Sequence, residues 1–87
     1  MPINKILVVD DVATDRMHLR EILSDAGYQV ITAASGKEAL NLASSDSPDL
    51  IFLDIVMDDM DAMGIDAMRA IAAMEAIHIM AMDARIL

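Results

Sequence analysis

Two apolar runs stand out along the chain because each ends abruptly in acid. Lys5-Ile6-Leu7-Val8-Val9 runs into Asp10-Asp11, and Leu50-Ile51-Phe52-Leu53 runs into Asp54 after the polar lead-in Ser47-Pro48-Asp49. An unbroken apolar run of about five residues between polar breakers predicts a strand buried on both faces, as in parallel sheets covered by helices. Between the two runs the period changes. Met17, Leu19, Ile22, Leu23 and Ala26 recur near helical spacing, which predicts a helix with one stripe toward a core and with Arg16, Arg20, Glu21 and Asp25 toward water. Val12-Ala13-Thr14-Asp15 starts it, with Thr14 or Asp15 accepting from first-turn amides, and Gly27 stops it. Tyr28 to Ala33 is β-rich and alternates in part, predicting a strand nearer an edge. Ser35-Gly36-Lys37-Glu38 opens a second helix, buried through Ala39, Leu40, Leu42 and Ala43 and broken by Ser44 to Pro48.

Past Asp54 the chain turns polar through Met57-Asp58-Asp59-Met60-Asp61. A third helix is expected from Gly64 to about Met74 or Ala76, with Ile65, Met68 and Ile71 as its stripe, since Ala and Met are strong helix formers. Ile77 to Met82 is open between a continuation of that helix, which propensity favours, and a fourth strand, which the alternation of elements favours. The strand is preferred. Strand, helix, strand, helix, strand with right-handed crossovers gives an α/β fold, a parallel sheet of three or four strands with helices on both faces. At 87 residues the chain is read as one small domain over residues 1–87.

In open parallel sheets, ligands bind beyond the carboxyl ends of the strands. Asp54 alone reads equally as a cap or as a site residue. Asp10 and Asp11 break the tie, because two adjacent parallel strands ending this way bring three carboxylates to one point. Three like charges together are costly without a cation. Hard oxygen ligands suit Mg²⁺, which prefers octahedral oxygen coordination and keeps waters beside one or two carboxylates and a phosphate. His18 and His78 have no metal-ligand neighbour at useful spacing and read as structural or solvated. Asp58, Asp59 and Asp61 lack the spaced acids, glycine and terminal Glu of an EF-hand and read as a solvated loop.

Composition narrows the partners. A formal charge of -9 disfavours direct nucleic-acid binding, which needs a basic patch. The chain has no cysteine, which fits a reducing compartment. Met1 to Lys5 has no apolar segment of signal-peptide type, and Asp54, Asp58 and Asp66 interrupt the apolar regions, so no membrane span and a cytoplasmic location are expected. From Met57 to Leu87 there are seven Met and eight Ala, with no Val, Ser, Thr, Pro or Lys. The break suggests an atypical or simplified tail. Its methionines suit core packing better than a soft-metal surface.

Taken together, Val8-Val9-Asp10-Asp11, Ala26-Gly27-Tyr28, Ala34-Ser35-Gly36-Lys37-Glu38-Ala39-Leu40 and Pro48-Asp49-Leu50-Ile51-Phe52-Leu53-Asp54-Ile55-Val56-Met57 resemble a response-regulator receiver domain. The similarity covers residues 4–57 closely and implies a flavodoxin-like, CheY-like fold. It implies that Asp54 accepts a phosphoryl group from a histidine kinase or a small phosphodonor. It also implies that Asp10, Asp11, Asp54 and the backbone carbonyl of Val56 hold Mg²⁺, in a signalling module with no turnover activity.

The departures from the family pattern lie after Asp54. Asp58 stands where the family has proline, and Ala62 stands where it has glycine unless two residues are inserted and Gly64 takes that place. Asp83 falls nearest the position of a Ser or Thr hydroxyl that contacts the phosphoryl group. Neither Lys5 nor Lys37 matches the family's phosphoryl-binding lysine on a fifth strand. Two readings follow. One is a truncated or modified receiver, impaired in switching and pairing as a homodimer through residues after Met57, where an open sheet edge is expected. The other is an engineered or truncated fragment with a structural or self-associating role and no phosphotransfer.

Overall fold

The apolar runs pair with one another, and their pairing sets everything else in place. The computed structural model describes residues 3–54, 62–74 and 77–82. Four strands, β1 (Lys5–Val9), β2 (Gln29–Ala33), β3 (Leu50–Asp54) and β4 (His78–Met82), alternate with three helices, α1 (Ala13–Asp25), α2 (Gly36–Asp46) and α3 (Ala62–Met74). Every strand pairing is parallel, and the spatial order is β2-β1-β3-β4. The stretch left open between helix and strand is a strand: His78 to Met82 pairs along the whole of β3, and that pairing overrides the helix preference of Ala and Met. Among the described residues no helix is long and apolar enough to cross a membrane.

Alternation along the strands sorts side chains to two faces. Leu7, Val9, Ala33, Ile51 and Leu53 form one core with Ala39 and Ala43 of α2, Met68 and Ala72 of α3, and Ile77. Small alanines on α2 let that helix lie close to the sheet. On the other face Ile6, Val8 and Leu50 are buried, with Leu19 and Leu23 of α1, Val30 and Phe52 partly so.

The helix boundaries correct several expectations. α1 begins at Ala13 after Val12 with no side-chain cap, so neither Thr14 nor Asp15 serves as one. None of its residues is fully buried: Met17 and Ile22 stay 57% and 51% exposed, Ala26 is exposed, and only Leu19 and Leu23 pack down. A helical stripe identifies a face that can be buried, whereas the width of the sheet beneath decides how much of it is. Gly27 ends α1 at φ 100°, a left-handed value that glycine adopts without steric cost. α2 starts as expected, the Ser35 hydroxyl accepting from the Glu38 amide at 3.1 Å, but it runs to Asp46 and stops at left-handed Ser47. α3 starts at Ala62, two residues before Gly64. Of its expected stripe Met68 is buried, and the side chains of Ile65 and Ile71 lie outside the described residues.

At the amino edge of the sheet Asp49 joins β1 to β3. One carboxylate oxygen accepts from the backbone amides of Asn4 and Lys5, each at 2.9 Å, while the Asp49 amide donates to the Lys5 carbonyl at 2.8 Å. The Asp49 carbonyl accepts from the His78 amide, which extends the same join to β4. Bonds from Lys5 and Asn4 hold the Asp49 carboxyl below the ordinary carboxylate range. The clasp fixes the register that carries the acids at the opposite edge.

Candidate phosphoacceptor and metal site

Register delivers the acids. Val9 of β1 pairs with Leu53 of β3, so the next residues, Asp10 and Asp54, leave the sheet side by side at its carboxyl edge. The Asp10 amide donates to the Ala33 carbonyl at 3.1 Å, which prolongs the β1–β2 ladder by one residue and holds Asp10 in line. Asp10 is 1% exposed and Asp54 8%, whereas Asp11 is exposed. One carboxylate oxygen from each of Asp10, Asp11 and Asp54 lies within 4.8 Å of the others. The three residues singled out from the sequence are thus brought together.

The Asp10 carboxylate is asymmetric in its surroundings. Its Oδ1 accepts from the Val12 amide at 2.9 Å, while its Oδ2 is buried with no hydrogen-bond partner. A buried, unpartnered carboxylate oxygen in a residue clustered with two further carboxylates is a costly arrangement for the bare protein. Burial pushes the Asp10 carboxyl above its ordinary value. The Val12 amide opposes that, and the charges of Asp54, Asp15 and Asp11 push it further up. A hard divalent cation answers both the orphaned oxygen and the repulsion, so this donor set fits Mg²⁺.

Arg16 was expected to face water, and the structure gives it a different place. Its guanidinium donates to the Asp10 carbonyl at 2.8 Å and so braces the strand end from α1. The available signal was its spacing, three and seven residues before Leu19 and Leu23, the residues that pack down. His18 and His78 are exposed. Lys5 donates to the Asp46 carbonyl at 3.0 Å, at the edge opposite the acids. Val56, the acidic residues Asp58, Asp59 and Asp61, and Asp83 lie outside the described residues.

Residues 6–86 match the family description of the response regulator receiver domain. The chain belongs to that family. Among similar receiver proteins, the chemotaxis protein CheY of Thermotoga maritima is 41% identical over 68 residues, 77% of this chain and 55% of that protein. A probable transcriptional regulator, ycf27, of Guillardia theta is 48% identical over 61 residues, which are 70% of this chain and 24% of the regulator. The aligned part therefore spans between a quarter and about half of these relatives. Among solved structures, the chemotaxis response regulator CheY4 of Vibrio cholerae superposes with a TM-score of 0.74 at 34% identity, covering 90% of this chain and 68% of that one. A CheY-like receiver domain from Methanospirillum hungatei gives 0.79 at 25% identity, over 92% of this chain and 63% of that one. The fold is the CheY-like, flavodoxin-like one, with a parallel sheet flanked by helices.

Proposed function

We propose that this receiver accepts a phosphoryl group on Asp54, with Mg²⁺ held by Asp10, Asp11, Asp54 and the Val56 carbonyl. The observation that carries the reading is the orphaned, buried Asp10 Oδ2 beside the converging carboxylates of Asp11 and Asp54. Bound Mg²⁺ supplies neutralising charge for the oxygens of the transferred group. An Asp54 oxygen attacks phosphorus, the bond from phosphorus to the donor's imidazole nitrogen or leaving oxygen breaks, and the donor keeps that electron pair. Asp10 is held in position by the Val12 amide and, through its own carbonyl, by Arg16. The donor is a histidine kinase or a small phosphodonor. The module is a signalling receiver without turnover, in the reducing cytoplasm that the cysteine-free sequence fits, and its net charge of -9 keeps it off nucleic acid.

Switching is impaired in this reading, because Asp83 falls in the sequence nearest the place where the family has a hydroxyl, and a carboxylate in that role repels a phosphoryl group. A ligand shifts an equilibrium only by its differential affinity for the two states. Amide spectra taken with Mg²⁺, before and after adding beryllofluoride, test site and switch together. Shifts are expected at Asp10, Asp11 and Asp54 and not along α2 and α3. Silence at the three acids contradicts the site, and widespread helical shifts contradict the impairment.

Pairing of two copies through the stretch after Met57 is likewise proposed. It is supported by the position of β4 at the edge of the described sheet, with no charged side chain in His78 to Met82 to discourage strand pairing. Light scattering at micromolar concentration is expected to report twice the chain mass, and a monomer contradicts the pairing.

A further inference from the structure

Every polar atom of Asp10 except one is held. Its amide donates to the Ala33 carbonyl at 3.1 Å, its carbonyl accepts from the Arg16 guanidinium at 2.8 Å, and its Oδ1 accepts from the Val12 amide at 2.9 Å. Only Oδ2 is buried without a partner. The backbone bonds fix the peptide planes on either side of Asp10 and the bond to Oδ1 fixes the carboxylate, so a planar group has its second oxygen placed as well. Among these partners, Arg16 alone acts through its side chain. The Arg16 amide also donates to the Val12 carbonyl at 3.0 Å, so Asp10, Val12 and Arg16 close a ring of hydrogen bonds at the start of α1.

The helix itself does not call for this arginine. A cation so near the positive end of a helix is disfavoured, and Asp15 and Met17 on either side of it are exposed, yet Arg16 is half-buried. We propose that Arg16 is a positioning residue for the cation site: its bond to the Asp10 carbonyl sets the direction of Oδ2 and so raises affinity for a hard divalent cation. The inference rests on the Mg²⁺ reading above. The side chain has two opposed effects. As a charge, a guanidinium near the acids repels an incoming cation, so its removal tightens binding. As a brace, it orders the Asp10 ligand before the cation arrives, so its removal adds an ordering cost to binding. Outer-shell contacts to metal ligands commonly change affinity by about tenfold or more. The two effects differ in sign, and the direction of the change identifies the role.

Mn²⁺, which takes the same octahedral oxygen coordination as Mg²⁺, is titrated into the 87-residue protein, and the free aqueous ion is read by electron paramagnetic resonance. Arg16→Met keeps an unbranched apolar stem and removes donor and charge together; it is expected to bind about tenfold more weakly than the parent. Arg16→Lys, with a charged donor on a stem of similar reach, is expected to recover most of that loss. Arg20→Met removes the same charge from an exposed position on α1, and its affinity is expected to stay at or above the parent's. Arg16→Gln, whose amide is too short to reach the Asp10 carbonyl, is expected to match Arg16→Met and decides the point where that variant does not fold. Unchanged or tighter binding without the guanidinium overturns the positioning role, as does an equal loss in Arg20→Met or a loss that Lys does not recover. A parent that binds no Mn²⁺ overturns the metal reading and this inference with it, whereas a parent that binds while Arg16→Met and Arg16→Gln bind equally well overturns Arg16 alone.

Discussion

Ile51→Ala is expected to remove a large share of the protein's stability. Ile51 is 0% exposed, pairs with Leu7 on one side and Ile79 on the other, and fills the core beneath α2 and α3. Truncating a buried Ile loses its transfer free energy and leaves a cavity that a close-packed layer closes only in part, about 2–5 kcal/mol. A chain of this length has roughly 4–13 kcal/mol in total, so the variant sits near the folding threshold. The urea midpoint is expected to fall by about 1–3 M. Met17→Ala on the exposed side of α1 is expected to stay within about 0.5 kcal/mol of the parent. Equal midpoints for the two variants contradict the placement of the core.

Asp10→Asn is expected to act in opposite directions on stability and on metal binding. Asparagine keeps an oxygen for the Val12 amide and removes the charge from a buried site shared with Asp11 and Asp54. The Asp10 carboxyl is raised, chiefly by burial, so the folded state takes up a proton more readily than the unfolded one. The penalty is therefore fully present above the raised folded value and fades as pH falls toward the unfolded value. At neutral pH in chelator the variant should melt a few degrees higher, the scale on which about 1 kcal/mol moves a small domain. With Mg²⁺ present the order should reverse, because binding to the folded state stabilises only the protein that still holds the ion. A lower melting temperature in chelator shows that the charge itself makes a stabilising contact. Equal gains from Mg²⁺ in both proteins remove Asp10 from the metal set.

The strands and the acid cluster were legible in the sequence for one reason. A strand buried on both faces has to be apolar throughout, so the point where Val9 or Leu53 gives way to Asp marks both the strand end and the site. Parallel register then leaves the acids no other place to go. α1 was harder to read. Its periodicity shows which side chains are able to face a sheet, but Met17 and Ile22 remain in water because the helix covers only part of one face. The cap expected at Thr14 or Asp15 fails for a related reason: a side-chain oxygen near a helix start is only one partner on offer, whereas here the helix begins directly after Val12 with no side-chain cap. Arg16 reads in sequence as a surface charge because its partner is a backbone carbonyl, which no side-chain pattern reveals. Asp49 reads in sequence as part of a breaker, because the amides of Asn4 and Lys5 that converge on it lie 45 and 44 residues away. At β4, propensity and topology disagreed, and the free pairing groups of β3 decided for a strand.

Intact-protein mass after incubation with a small phosphodonor tests the phosphoacceptor reading most directly, with Mg²⁺ or chelator and with the parent or Asp54→Asn. Asparagine removes the attacking carboxylate oxygen while preserving size, so a folded but inert variant is the informative comparison. The expected result is the mass gain of one phosphoryl group in the parent with Mg²⁺, and none in chelator or in Asp54→Asn. The same gain in Asp54→Asn, or a gain indifferent to Mg²⁺, would contradict the account.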